Sequence, residues 1–304
     1  MNWIIFSIIP PFLWAVTNYV DKFLIEKYFK KSAGASLMLL IVSFGLIFSP
    51  LIYIFRHGAI HVGISGLSTL LISSCLAVVS WIMYARALSE DDVSVVVPLF
   101  QLMPVYNYFL GLIFLGEKLS TMQILAAVII VCGSILISLN FDHKSAHLKM
   151  KVVLPMLLCT LISSVNVLII KSTMLKSDFW SVNFWTYLFF GIISIVLLLS
   201  VKSWREEVGA AIKKNISETI GVSFLNEALD FSATMIYRYA MLMAPIALVS
   251  VLSNGFQPVF ILIMGVILSI FLPRFSGESL AKHHLIQRTL AILIIFFGTY
   301  LLNK

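Results

Sequence analysis

The run VSFLNEALDFSATMIY, residues 222–237, sets Asn226, Glu227 and Asp230 into a stretch that otherwise reads as apolar helix. Residues three or four apart share a helix face, so Ser223, Asn226, Glu227, Asp230, Thr234 and Tyr237 form one polar stripe. Two carboxylates one turn apart in a medium of poor dielectric cannot both ionise cheaply. Such a pair can take up and release a proton, or hold a cationic solute, if the helix lies in a bilayer and its stripe faces a cavity. The plainer reading is packing, with one acid neutral or bonded to a neighbouring helix. An ionised carboxylate at the bilayer centre costs on the order of 2.5–3.5 kcal/mol, so a stripe holding two is a functional signal.

Other polar residues could join that chemistry. Trp14, Asn18 and Lys22 recur every four residues and share one face. Lys22 either reaches inward to an acid or anion, or pairs with Glu26 and snorkels to the interface. Asp21 is expected to be interfacial. Gln101 and Asn107 flank Pro104, and Asn254 and Gln257 precede Pro258. A proline frees a carbonyl one turn back, which such side chains either repair or leave facing a solute. Trp14, Trp81, Tyr84 and Tyr237 could stack on a cationic or planar solute, or simply pack. Ser163, Ser164 and Asn166 read as helix-contact hydrogen bonding, Arg86 and Arg238 as interfacial anchors, and Glu117 beside Lys118 as interfacial.

These residues need a bilayer around them, and the composition supplies the case for one. The chain of 304 residues is 60% hydrophobic and only 12% charged, with mean hydropathy +1.02. Soluble domains run to about 45–50% apolar and 25% charged. Apolar runs long enough to span hydrocarbon recur at about 3–25, 34–55, 66–87, 93–116, 120–140, 151–173, 182–201, 217–241, 246–272 and 285–303, and the first is expected to be a retained helix. The fold class is therefore all-α integral membrane, with ten transmembrane helices. Cys75, Cys132 and Cys159 all fall inside these runs and read as small apolar residues. No phosphate-binding Gly-x4-Gly-Lys loop, paired His/Cys spacing or nucleophile with a His partner is present, so neither an enzyme nor a cofactor or metal is expected. The net charge of +7 is spread over several loops, which argues for membrane topology and against nucleic acid. Fourteen Lys and Arg lie on the side opposite the termini against six on the termini side, with Lys22 inside the first span, which accounts for all 21. That bias places the termini outside.

The spans also repeat. Pro104-Val105 followed by Gly111 returns as Pro258-Val259 followed by Gly265, at the same Pro-x6-Gly spacing. Tyr84-x2-Ala87 precedes the first copy and Tyr237-x2-Ala240 the second. Two halves of five helices follow, and because five is odd the second must enter the membrane from the opposite side. A 5+5 inverted repeat results, an architecture built for alternating access around a midplane site.

At this point the residues resemble a family. The segment VVVPLFQLMPVYNYFLGLIFLGEKLSTMQILAAVIIVCGSILIS, residues 95–138, is similar to the signature end of an EamA domain of the drug/metabolite transporter superfamily, with Pro98, Pro104, Gly116-Glu117 and Gly133 in place. The first span, FLWAVTNYVDK, is similar too. The resemblance implies two tandem domains, residues 1–142 and 150–304, each an EamA-like five-helix repeat. It further implies a secondary transporter working without ATP, commonly an exporter, placed in the bacterial inner (plasma) membrane as a multi-pass protein. Family members usually keep both termini in the cytoplasm, opposite to the charge bias. Two departures stand out. Ala126 replaces a glycine usual early in the fifth span, which would loosen a close helix contact, and Glu117 has no counterpart in the second half, where the same offset lands on Phe271.

The expected function is secondary transport of a small polar metabolite, proton-coupled through Glu227 and Asp230. The rivals are an uncoupled facilitator of a cationic solute and a non-transporting accessory membrane subunit. The expected partners are the small-molecule substrate and the lipid bilayer, for a monomer or homodimer.

Overall fold

A backbone surrounded by hydrocarbon can satisfy its N–H and C=O groups only with itself, so long apolar runs become helices. The computed structural model of the protein describes residues 2–56, 60–138, 150–271 and 282–302. Among the described residues every regular element is helical. In chain order these are α1 (Asn2–Tyr28), α2 (Ala35–Ser43), α3 (Gly45–Arg56), α4 (Ile64–Glu90) and the short α5 (Val93–Val96). A 3-10 segment (Val97–Leu102) runs into α6 (Met103–Leu115), followed by α7 (Thr121–Ser138), α8 (Met150–Met174), α9 (Phe179–Ser200) and α10 (Lys202–Lys214). A π turn (Ser217–Val222) leads into α11 (Ser223–Met243), then α12 (Ile246–Phe271) and α13 (Lys282–Leu302).

Seven helical stretches among the described residues are long and apolar enough to cross a membrane, which makes this a multi-pass integral membrane protein. They are Trp3–Tyr28, Ala35–Arg56, Ile64–Glu90, Val93–Phe114, Lys151–Met174, Phe179–Ser200 and Ile246–Leu268. The apolar parts of α7 and α13, Thr121–Leu136 and Thr289–Leu302, are shorter, and α11 is diluted by Glu227, Asp230 and Arg238. Of the cations in the charge count, Lys144, Lys149, Arg274 and Lys304 lie outside the described residues, as do the side chains of Lys282 and Arg288.

Two features depart from the expected spans. The second is broken at Phe44, between α2 and α3. Gly45 there sits so close to α9 that a Cβ would strike the carbonyl of Tyr187, and across the same contact a Cβ on Gly191 would meet Leu46 Cγ at 2.6 Å. The stretch after residue 201, expected as a connection, contains the amphipathic α10. It buries Glu207, which accepts from Lys31 N (2.8 Å) and Ser36 Oγ (2.6 Å), and so pins α10 to the turn between α1 and α2.

The helices exchange partners between the halves of the sequence. α1 packs against α11 and α12, while α8 packs against α4 and the Val97–Leu115 stretch. α7 lies along α13, and α2 and α3 lie along α9. The α7–α13 contact is close despite Ala126, because glycine stands opposite: a Cβ on Gly298 would meet Ala126 O at 3.1 Å, and one on Gly133 would meet Ala291 O at 3.1 Å. The contact at Ala126 is therefore not loosened.

Lysines fasten the ends. Lys22 does not reach inward: its Nζ donates to Leu88 O (2.9 Å) and Asp91 O (2.8 Å) at the end of α4 and pairs with Glu26 at 3.2 Å. A cation at a helix C-terminus meets free carbonyls and the negative end of the dipole. Lys171 of α8 does the same for α11, donating to Ala244 O at 2.7 Å. Its partner is Glu117, 2.5 Å away, whose other oxygen accepts from Ile246 N at 2.8 Å. Glu117 is thus not an interfacial charge beside Lys118. Its side chain and that of Lys171 are only 15% and 6% exposed, and together they tie the end of α6 to α8 and to the start of α12.

Removing one partner of a buried pair strands the other charge, which costs about 3–5 kcal/mol. Lys171→Met should therefore lower the melting temperature in detergent markedly, and Glu117→Gln/Lys171→Met should recover a large part of the loss. Equal melting of the single and double variants would show that the pair is not coupled.

Candidate functional site

α11 has one polar face because Asn226, Glu227, Asp230, Thr234 and Tyr237 follow the helical repeat, and α1 presses against that face. The two helices, with α2, α4, α8 and α12, wall a cavity of about 220 Å³. α1 contributes Trp14, Thr17, Asn18 and Asp21, α4 contributes Ser80, Trp81 and Tyr84, and α8 contributes Cys159, Ser163 and Asn166. α11 contributes Asn226, Glu227, Asp230, Thr234, Tyr237 and Arg238, and α12 adds Asn254 and Gln257. Hence Trp14, Asn18, Tyr84, Asn226, Glu227, Asp230, Tyr237, Asn254 and Gln257 line one cavity.

Three candidates do not line the cavity. Lys22 is one residue off the Trp14–Asn18–Asp21 face and is spent on the end of α4. Gln101 donates its Nε2 to Asn254 O, the carbonyl that Pro258 leaves without its helical donor. The repair of the α12 proline is therefore made in trans, from the other half of the chain. Asn107 is fully buried between α6 and α12, donating to Ser250 Oγ at 2.9 Å, and Asn254 Nδ2 donates to the same oxygen at 3.0 Å. Pro104, by contrast, stands in the first turn of α6, where a missing N–H costs little.

Within the cavity Glu227 is 5% exposed and Asp230 half-buried, with Thr234 Oγ1 3.4 Å from Asp230 Oδ2. Two further charged groups belong here although their spacing suggested the interface. Asp21 is buried and accepts from Asn226 Nδ2 at 2.7 Å, joining α1 to α11. Arg238 is buried; its Nη1 donates to Asn183 Oδ1 at 2.6 Å, and its guanidinium lies 5.7 Å from the centre of the Tyr187 ring. Tyr84 OH donates to Asn18 Oδ1 at 2.7 Å. Trp14 meets Tyr237 edge-on at 5.4 Å, and Tyr84 lies 5.8 Å from Phe100. Asn166, read as a helix contact, makes one, donating to Ser73 O and Oγ at 2.8 Å. Arg86 is exposed.

The sequence profile of the EamA-like transporter family matches residues 1–139. Residues 1–139 are an EamA domain. A solved structure described only as "Crystal structure of protein" is similar with a TM-score of 0.64, covering 98% of this chain and 98% of that one at 14% identity. At that identity the likeness shows the fold alone. No curated protein sequence matches the chain. The EamA domain supplies the α1, α2 and α4 walls of the cavity, and α8, α11 and α12 beyond it supply the rest. Its carboxylate, Asp21, meets the two of α11 across the seam.

Asp21 and Arg238 carried a weak signal in the sequence. Asp21 stands three residues after Asn18, on the same helix face, and Arg238 adjoins Tyr237 at the edge of the α11 stripe. What hid them is their distance from the expected span centres.

Asn226→Leu would leave the buried Asp21 without its donor, at a cost of about 1–3 kcal/mol. A clear fall in melting temperature is expected for Asn226→Leu and a smaller one for Asn226→Gln, read by thermal denaturation of the purified protein.

Proposed function

We propose that the chain is a secondary transporter that exports a small polar metabolite across the plasma membrane by alternating access, coupled to protons through Glu227 and Asp230. The observation that carries this reading is the cavity at the seam, faced by carboxylates of α1 and α11 and walled by helices of both sequence halves. In this reading ten helices span the bilayer: the seven long apolar stretches together with α7, α11 and α13. They divide into five-helix repeats over residues 1–142 and 150–304, whose junction and outer bounds fall on residues outside those described. Three observations support the inverted repeat. The packing partners are exchanged, α1 on α11 and α12 answering α8 on α4 and α6. Lys22 and Lys171 each fasten the end of the helix two spans further on in its own half. The Pro-x6-Gly element recurs on α6 and α12.

The chemistry follows from desolvation. Glu227 and Asp230 lie one turn apart in a buried cavity, so a neutral, protonated acid is far easier to carry through a closed intermediate than an ionised pair. Protons taken up from one side and released to the other would then make the crossing of the loaded and unloaded forms unequal, which is the requirement for coupling. Rocking of one repeat against the other would expose the same acids to each face in turn.

Glu227→Gln should abolish pH-gradient-driven flux in proteoliposomes while leaving expression and melting close to wild type, because glutamine keeps the shape and removes the proton site. Flux that persists at the wild-type rate in Glu227→Gln refutes the coupling role. Flux that survives collapse of the pH gradient in the unaltered protein marks an uncoupled facilitator.

A further inference from the structure

Among the described residues, Asp21, Glu227 and Asp230 face the cavity as acids and Arg238 as the opposing cation. Arg238 is already engaged by Asn183 and lies against the Tyr187 ring. The remaining groups on the walls that could titrate are Tyr84, Tyr237 and Cys159, none of which supplies positive charge. The cavity is therefore built with more potential negative charge than the protein itself answers, and burial demands that the difference be met by protons or by a cation from outside.

A second observation separates these. Asn226 is 3% exposed and lines the cavity; its Nδ2 is committed to Asp21, yet its Oδ1 has no hydrogen-bond donor. Asn18, on the same face of α1 as Asp21, likewise keeps Nδ2 unpartnered after accepting from Tyr84. A proton bound to Asp21 neutralises the acid, and meets the Asn226 oxygen only if it sits on the carboxyl oxygen turned toward that amide. A group with several N–H donors placed beside Asp21 meets both the charge and the orphaned acceptor. Tyr84 stands beside that corner on Asn18, and Trp14, Trp81 and Tyr237 line the same cavity further along; aromatic faces attract a cation and accept an apolar body.

We propose that Asp21 and Asn226 form an ammonium subsite, and that the solute is a small primary amine in its cationic form with its body lodged among Trp14, Trp81, Tyr84 and Tyr237. This rests on the transporter reading and names its substrate class. Glu227 and Asp230 keep the proton, and Asp21 recognises the solute.

The test uses the purified full-length protein and 2-phenylethylammonium as probe, compared with its N,N,N-trimethyl derivative, with 3-phenylpropionate and with 2-phenylethanol. Near saturation the primary ammonium should raise the melting temperature by about 5 °C, and the other three should raise it much less. Asp21→Asn, which preserves the shape and the contact with Asn226, should weaken the ammonium at least tenfold. Should that variant not fold, Asp21→Glu keeps the charge but displaces it, and is expected to weaken binding at least threefold. Equal shifts with the anion or the alcohol, a trimethyl derivative that binds as well as the primary amine, or wild-type affinity in the folded Asp21 variant overturns the proposal. Flux of labelled probe through proteoliposomes separates the two readings. Ammonium binding without flux defeats transport and leaves the subsite standing, whereas flux of the anion or alcohol without ammonium binding does the reverse.

Discussion

The cost of placing charge in hydrocarbon organises this molecule. Asp21, Glu227, Asp230 and Arg238 sit inside helices that are otherwise apolar, and each must turn away from lipid toward something polar. The solution is geometrical. α1 and α11 pack face to face, so their polar stripes meet, and the hydrogen bond between Asn226 and Asp21 lies at that meeting. The apolar remainder of both helices then points to lipid or to other helices, where burial of Ile4, Leu24 and Met241 requires no partner. A cavity between the halves is the consequence of assembling two stripes that neither half could bury alone.

The same constraint accounts for what could be read in the sequence. The helices were legible because their apolar length leaves the backbone one way to satisfy itself, and the stripe on α11 was legible because carboxylates at i and i+3 stand out against such a background. The likeness to the EamA family, matched over residues 1–139, was legible in Pro98, Pro104, Gly116-Glu117 and Gly133. Residues near helix ends were misjudged. At that depth a charge can snorkel to the surface or turn inward, and composition does not decide between them. Lys22 and Asp21 are neighbours with opposite fates, since adjacent positions on a helix differ by about 100° in direction and only the packing of α11 and α4 selects which one faces the cavity. Glu117 and Lys171 were illegible as a pair because 54 residues separate them and only the fold brings them to 2.5 Å. α10 escaped because its hydrophobic side is short, and its seat depends on Glu207 meeting the N–H groups of the α1–α2 turn.

The prolines show how the two halves depend on one another. A proline within α12 leaves Asn254 O without its helical donor, and Gln101 supplies one from the first half. Ser134 Oγ donates to the neighbouring Gly255 O at 2.9 Å, again from the first half. Ser253 Oγ in turn donates to Ser7 O at 2.7 Å. The middle of α12 is thus held by side chains of α7 and of the 3-10 segment before α6 and by a backbone carbonyl of α1. In a medium without water each of these bonds is worth keeping, because the alternative is an unmet polar group in an apolar surround.

The two ends of the seam are joined differently. At the end where α6, α8 and α12 meet, Glu117 and Lys171 are almost enclosed, and each also bonds a backbone group, so separating them would expose two charges and free two further polar atoms. At the other end α1 is linked to the π turn before α11 by Lys27 with Glu218 at 2.5 Å, assisted by Tyr28 at 2.8 Å, and the side chains of Lys27 and Glu218 are 38% and 32% exposed. Water stands ready to replace an exposed pair, which contributes little to holding its partners together, whereas a buried pair resists separation until both partners can be rehydrated. The exposed Lys27–Glu218 pair therefore holds less than the Glu117–Lys171 pair, and at its end the fastening falls to the buried Glu207, which accepts from Lys31 N and Ser36 Oγ.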